Sequence, residues 1–395
     1  MKSKSKNMSH PLMYNNITND DIKSLTDFLS QQPIPILTNS KKVLEFEKVW
    51  SEWLGVKYSV FVNSGSSANI LTLAIIKYLY NDGEVITTPF GWVSDIAAIL
   101  HSGLKPVFCD INYKTLSIDE DEFEKCITSN TKALLLTHIL GYNGLTQKIL
   151  DLCEKHNIKL IEDVCESHGA TFNNQKVGSF GYISNFSFYY AHHLTSIEGG
   201  MICTNDEYIY QLARVFRSHG MLRESTSTEI KSEVLLKFPD LNQDFVFIAP
   251  TYNMRSTEIN AVLALNQMKN LDSNNILRSK NLDIFLDNLD KTKYYTEYNR
   301  LGNSNYAFTL LLLKPDLELR NKVEYTLKQN NIEFRRGMSG GGNQLRQPYL
   351  KKLFGDEYLK YKKCDYIHHF GWYIGNYPQL EKDKIYNLCK ILNSL

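Results

Sequence analysis

The chain has no close cysteine pair, no apolar run long enough for a membrane and almost no net charge, and each absence removes a class of function. Seven cysteines, Cys109, Cys126, Cys153, Cys165, Cys203, Cys364 and Cys389, are scattered without a CxxC or CxC pair. Zinc and iron–sulfur sites draw on closely spaced thiols, so no metal site is expected. An odd number of cysteines with no secretory signal ahead of them fits free thiols in a reducing cytosol. The longest apolar stretches, such as Ala133–Leu136, fall far short of the roughly 20 residues that span a bilayer. Lys+Arg total 44 and Asp+Glu 43, a net charge of +1, which gives no general attraction to nucleic acid or an anionic membrane. Any anionic ligand must be held by a local site. The first dozen residues, beginning MKSKSKNMSH, are polar and basic and read as a frayed terminus.

What is present is length and alternation. At 395 residues and 43% hydrophobic, the chain suits one large domain and a smaller one. From Tyr58 to Thr204, apolar β-rich runs alternate with helix-like runs. Tyr58–Val62, Glu84–Thr87, Pro106–Cys109, Ala133–Thr137, Lys159–Glu162, Ser184–Phe188 and Met201–Cys203 read as strands; Ser67–Leu79 and Ser94–His101 read as helices. Near-continuous apolar strands with helices between them predict an α/β fold. Its mainly parallel sheet would be covered on both faces and joined by right-handed crossovers. Past Met254 the pattern changes to a helix at Glu258–Leu271, a polar Asn-rich stretch, a strand at Ala307–Leu313, a helix at Leu317–Gln329 and a glycine-rich loop, Ser339–Asn343. This predicts a large domain over 13–255 and a smaller α+β domain over 256–395.

Four motifs carry possible chemistry. Asn63-Ser64-Gly65-Ser66-Ser67-Ala68, between a strand and a helix, suits a phosphate at a helix N-terminus, and equally suits ordinary capping. Asp163 ends the run KLIED, at the strand end that faces the ligand crevice in open α/β sheets. An acid there would pair with a protonated pyridine nitrogen, or cap a helix. The segment Ser187–His193 (SFYYAHH) runs into Glu198-Gly199-Gly200, and an adjacent histidine pair by itself proves little. Trp92, in TPFGW just past a strand, would stack on a flat ring or fill the core.

Taken together and in order, NSGSSAN, TPFGW, EDVCESHGATF, KVGSFG, SFYYAHHLTSIEGGMICTND, TYNMRSTEINA and NQLRQPYL resemble the sugar aminotransferase family of fold-type-I pyridoxal phosphate enzymes, over about Phe46 to Asn376. In that family the cofactor lysine lies six positions before the glutamate of the EGG turn. Here that glutamate is Glu198, and the position holds His192, with His193 beside it. An imidazole cannot make the covalent bond to the cofactor that a lysine amine makes, and the nearest preceding lysine, Lys176, belongs to KVGSFG. The chain therefore resembles the family's offshoot of nucleotide-sugar 3-dehydratases.

That resemblance implies a fold-type-I transferase fold, pyridoxal or pyridoxamine 5'-phosphate bound without a covalent link, and a cytoplasmic homodimer with shared active sites. Ser66, Ser67 and Ser187 would bind the cofactor phosphate, Trp92 would stack on the ring and Asp163 would pair with its nitrogen. Glu166 and His168 would line the ring or the amino-acid pocket, and Asn253 would reach the phosphate of the partner subunit. His219 and Arg346 would contact the sugar substrate, with Arg335 and Arg336 competing for the role of Arg346. The implied substrates are L-glutamate, as amino donor, and a GDP-linked 4-keto-6-deoxy hexose, preferably with the manno configuration. Its C3 hydroxyl would leave with His192 as acid and base, giving a 4-keto-3,6-dideoxy sugar and ammonia. An unperturbed pKa near roughly 6.5 suits an imidazole to both proton steps. The competing readings are a sugar 4-aminotransferase, opposed by the missing lysine, and an inactive cofactor-binding subunit, opposed by the retained Asp163 and Trp92.

Overall fold

In the computed structural model, which describes residues 9–395, the apolar runs of the first half become one seven-stranded sheet. Its strands are β1 (Tyr58–Val62), β2 (Glu84–Thr87), β3 (Lys105–Phe108), β4 (Thr131–Thr137) and β5 (Lys159–Asp163). After a hairpin of β6 (Thr171–Phe172) and β7 (Gln175–Lys176) come β8 (Ile183–Ser187) and β9 (Gly200–Thr204). The order across the sheet is β1-β9-β8-β5-β4-β2-β3. Strands β8, β5, β4, β2 and β3 are parallel, and β9 runs antiparallel to both its neighbours. The sheet is thus mainly parallel, as expected. Every residue of β2, β8 and β9 is buried, which is why these strands show no alternation of apolar and polar faces.

The KVGSFG motif is structural. Glu162, fully buried in β5, accepts backbone N–H groups from Gly178 at 2.7 Å, Phe180 at 3.0 Å and Gly181 at 2.6 Å. It also meets Nε2 of the buried His138 at 3.2 Å. Lys176 points elsewhere, over the ring of Trp53.

The C-terminal part builds a second sheet from β10 (Ala307–Leu311), β11 (Phe334–Arg336) and β12 (Gly371–Gly375), in the order β10-β12-β11. A core of Phe90, Ile139, Leu140, Phe285, Phe308 and Trp372 joins it to the loops at one edge of the large sheet. Helix Glu258–Gln267 packs on helices Asn19–Leu29 and Lys41–Leu54, on the large-sheet side.

The Asn-rich stretch, to which the sequence assigned no element, is a helix, Leu271–Asp287. Its polar residues face inward to hold loops: Asn275 donates to the His168 carbonyl at 2.8 Å, Asn281 to Asn376 Oδ1 at 3.1 Å, and Arg278 to the carbonyls of Tyr306 and Asn376. Polarity there marks buried hydrogen bonding. The frayed terminus is a correction. Residues 1–8 lie outside the described residues, but Ser9 donates to the Asn331 carbonyl at 3.1 Å, and buried His10 bonds the Gly375 carbonyl at 2.7 Å. The segment docks on the second sheet and continues into the wall of the site.

Candidate active site

Parallel pairing with β4 beside β5 and β5 beside β8 brings Thr137, Asp163 and Ser187 to one edge of the sheet. The loops leaving that edge, together with Ser339 and Gly340 from the second unit, enclose a cavity of about 490 Å³. Of the residues expected from sequence, Ser66, Trp92, Asp163, Glu166, Ser187 and His192 line it. A wider groove of about 830 Å³, among Phe28, Trp53 and Met268 on the outer face, holds none of them.

One end of the cavity is a helix N-terminus. Ser64 caps helix Gly65–Tyr80, its hydroxyl accepting the Ser67 N–H at 3.0 Å. Gly65 abuts β8 so closely that a Cβ there would lie 2.5 Å from Ser187 Cβ, and this explains the glycine between two serines. Ser66 faces the opening with Ser187 opposite, beside N–H groups of the first turn that suit an anion. The Ser67 hydroxyl instead donates to Asn63 Oδ1 at 2.6 Å, and Ser67 does not line the cavity; Ser64 does.

The floor is Asp163. Its Oδ1 accepts the Cys165 N–H at 2.9 Å, and its Oδ2 accepts Asn69 Nδ2 at 2.7 Å. Beside it, Glu166 accepts the Leu140 N–H at 2.9 Å and the Ser339 hydroxyl at 2.8 Å. Burial, with a smaller contribution from the Asp163 carboxylate, pushes the Glu166 carboxyl up to about 7. Trp92 stands at the mouth, 58% exposed.

His192 is held by its backbone. Its N–H donates to the Tyr189 carbonyl at 2.9 Å, and its carbonyl accepts Asn16 Nδ2 at 3.1 Å. The ring lines the cavity 5.6 Å from the Tyr306 ring, and its buried Nδ1 has no hydrogen-bond partner. Burial, and then Arg278, lowers its pKa to about 3, so the imidazole stands neutral. His193 turns away from the cavity and bonds the Ser304 carbonyl through Nε2 at 2.5 Å. His168 is buried behind both, against Trp50, Phe186 and Phe188.

The remaining expected residues lie outside the lining. His219 and Asn253 are exposed and paired through backbone bridging near Ser218. Arg346 is engaged by both oxygens of Asp365 and stacks 4.1 Å over Tyr358, so its guanidinium is committed within the second unit. Arg335, its competitor, lines the cavity. Sequence reading missed Leu12, Met13, Asp95, Tyr306 and Tyr373 in the wall and Arg278 behind it. Among these only Asp95 carried a signal, as an acid one turn beyond the strand-end Trp92. Among the described residues no lysine lines the cavity.

This geometry has known counterparts. The model of the DegT/DnrJ/EryC1/StrS aminotransferase family matches residues 15–393. The GDP-4-keto-6-deoxy-D-mannose 3-dehydratase of Escherichia coli O55:H7 is 30% identical, with 98% of this chain and 100% of that protein covered. The E. coli GDP-4-keto-6-deoxy-D-mannose-3-dehydratase solved with bound hydrated PLP superposes with a TM-score of 0.87, at 29% identity, covering 98% of this chain and 99% of that one. A GDP-4-keto-6-deoxymannose-3-dehydratase solved with a trapped PLP-glutamate geminal diamine gives 0.85 at 28% identity, covering 97% of this chain and 100% of that one. The chain belongs to the DegT/DnrJ/EryC1/StrS aminotransferase family, with the fold-type-I architecture of pyridoxal phosphate enzymes.

Proposed function

We propose that this chain is a nucleotide-sugar 3-dehydratase that uses pyridoxal and pyridoxamine 5'-phosphate without a covalent link. It removes the C3 hydroxyl of a GDP-linked 4-keto-6-deoxy hexose, with 4-keto-6-deoxy-D-mannose as the sugar. Glutamate supplies the amino group and leaves as 2-oxoglutarate, and the further products are a 4-keto-3,6-dideoxy sugar and ammonia. The observation that carries this reading is a neutral, cavity-lining imidazole, His192, in a site with no lysine among the described lining residues. The full-length similarity to 3-dehydratases supports the same substrate class.

The residues fit the cofactor. The first turn of helix Gly65–Tyr80, with Ser66 and Ser187, is a cradle for its phosphate. Trp92 offers a ring face, and Asp163, anchored through both oxygens, offers a carboxylate to its ring nitrogen. When bound, the cofactor supplies an electron sink conjugated to the sugar. His192, whose ring lines the cavity, would move the proton, accepting it at the imidazole and delivering it to the departing C3 hydroxyl. Burial keeps this imidazole neutral and so free to accept a proton; the lowered proton affinity makes it a weaker base in the first transfer and a stronger acid in the second. Arg335, the arginine of the described lining, takes an anionic group of glutamate or of the nucleotide.

A homodimer completes the rim. Asn253 is exposed, and in the segment preceding it Leu236, Phe238, Phe245, Phe247 and Tyr252 are exposed large apolar side chains, as an interface would use. Sedimentation at assay concentration is expected to give a dimer, and a fully active monomer would remove the shared site. No described helix is long and apolar enough to cross a membrane. Seven free cysteines suit a cytosolic enzyme. The deciding assay supplies glutamate with GDP-, CDP- or dTDP-linked 4-keto-6-deoxy sugars. Ammonia released mole for mole with the GDP sugar is expected; an amino sugar as product would show an aminotransferase, and no turnover an inactive subunit.

A further inference from the structure

The site contains a buried acid to which the reaction above gives no task. Asp95 lies in the first turn of helix Val93–His101, 4% exposed, at the cavity wall. The Asn69 amide nitrogen serves two carboxyls at once, 2.9 Å from Asp95 Oδ1 and 2.7 Å from Asp163 Oδ2. That amide cannot turn over, because Asn69 Oδ1 accepts Asn185 Nδ2 at 2.9 Å, and Asn185 Oδ1 in turn accepts the Thr72 hydroxyl at 2.8 Å. The Thr137 hydroxyl donates to Asp95 Oδ2 at 2.7 Å. The network therefore fixes two carboxyls together in a dry wall.

Two carboxyls desolvated together do not both ionise, so the pair retains one proton. The titratable groups facing Asp95 are Asp163 at the end of β5, Cys165 and Glu166 in the loop beyond it, and Tyr349 in helix Pro348–Phe354. Burial and the Asp163 carboxylate push the Asp95 carboxyl well above the usual range, which assigns the proton to Asp95.

We infer that Asp95 is a positioning residue for the cofactor ring: held with Asp163 on the single Asn69 amide and anchored by Thr137, it keeps the Asp163 carboxyl aimed at the ring nitrogen. The inference rests on the cofactor reading above. Asparagine can replace a neutral, donating carboxyl at this position, and alanine cannot.

The test titrates the apoprotein with pyridoxamine 5'-phosphate. It follows the dissociation constant, the pH dependence of the bound cofactor's ultraviolet band, and proton uptake by calorimetry in buffers of different ionisation enthalpy. Asp95→Asn is expected to bind within about twofold of the wild type, with the same ring titration. Asp95→Ala is expected to bind about tenfold more weakly, the loss of a hydrogen bond to a charged group, and to release the ring proton at lower pH. Proton uptake, which does not depend on the alanine variant folding, should be equal for wild type and Asp95→Asn. An excess of about one proton in the wild type would show Asp95 ionised before binding and overturn the proposal. Alanine and asparagine variants that behave alike while the wild type binds would also overturn it, leaving the cofactor reading intact. A wild-type chain that does not bind pyridoxamine 5'-phosphate overturns both.

Discussion

The floor and the rim of the cavity are built differently. On the floor, Asn69, Asp95, Thr137 and Asp163 are buried and satisfy one another through hydrogen bonds within the chain. At the rim, Trp92 is 58% exposed, and Ser66 and Arg335 face solvent as well as the cavity. The floor is preorganised, so a ligand meets dipoles already in place, whereas rim side chains lose rotamer freedom when the ligand arrives. Floor residues should therefore weigh more on cofactor binding than the rim residues Ser66 and Trp92, and Arg335 at the rim should act on substrate affinity.

The largest expected effect tests the two adjacent histidines. His192→Asn should lower the dehydration rate by about 10²–10⁴-fold, the usual worth of general acid–base catalysis, while retaining cofactor binding. His193→Asn should keep near-normal turnover and lose stability instead, because His193 bonds the Ser304 carbonyl away from the cavity. His192→Lys should hold pyridoxal phosphate covalently after borohydride reduction and denaturation, which the wild type should not. Near-normal turnover in His192→Asn with none in His193→Asn would move the acid–base role by one residue.

A smaller effect compares floor with rim directly. Asp163→Asn removes the charge offered to the ring nitrogen and should weaken pyridoxamine phosphate binding by about 10–100-fold, whereas Ser66→Ala should weaken it by about 2–10-fold, as for a neutral hydrogen bond. Equal losses, measured by fluorescence titration, would erase the distinction. Within the rim, Arg335→Leu should raise the KM for an anionic substrate by about fivefold with kcat retained. Arg346→Leu should leave KM unchanged and cost about 1 kcal/mol of stability, since that arginine is tied to Asp365 and Tyr358.

The same division explains what could be read from the sequence. Asp163 and Trp92 were found because they stand at or just past recognisable strand ends, where the carboxyl ends of parallel strands converge, and Ser187 and His192 because they stand in a motif that resembles the family's. Arg335 was named only as a competitor, since its place depends on how the second sheet docks. The Asn69–Asp95–Asp163 network joins residues up to 94 apart in sequence and leaves no local pattern. Helix Leu271–Asp287 was hidden for a related reason: Asn275, Arg278 and Asn281 face inward, so an apolar stripe is missing where one is normally sought. The terminal segment that supplies Leu12 and Met13 reads as a solvated end, because composition does not show that the Ser9 backbone pairs with Asn331 and the His10 ring with Gly375.

The smallest effect concerns Glu166, which joins the two units by accepting both the Leu140 N–H and the Ser339 hydroxyl. Its carboxyl is pushed up to about 7, chiefly by burial, whereas an unfolded glutamate titrates near roughly 4.3. Through that window the folded apoprotein binds a proton that the unfolded chain has released. By linkage, its contribution to stability is fully present below the unfolded value and is lost as pH rises through about 7. Glu166→Gln cannot ionise and loses nothing over this interval. The melting temperature of the variant minus that of the wild type should therefore rise between pH 5 and pH 8, by roughly 2–4 °C, and level off above. Scanning calorimetry of the two apoproteins across that range measures it. A constant difference would mean that Glu166 is ionised throughout, and the wall between Leu140 and Ser339 would then be wet, like the rim, and not dry like the floor.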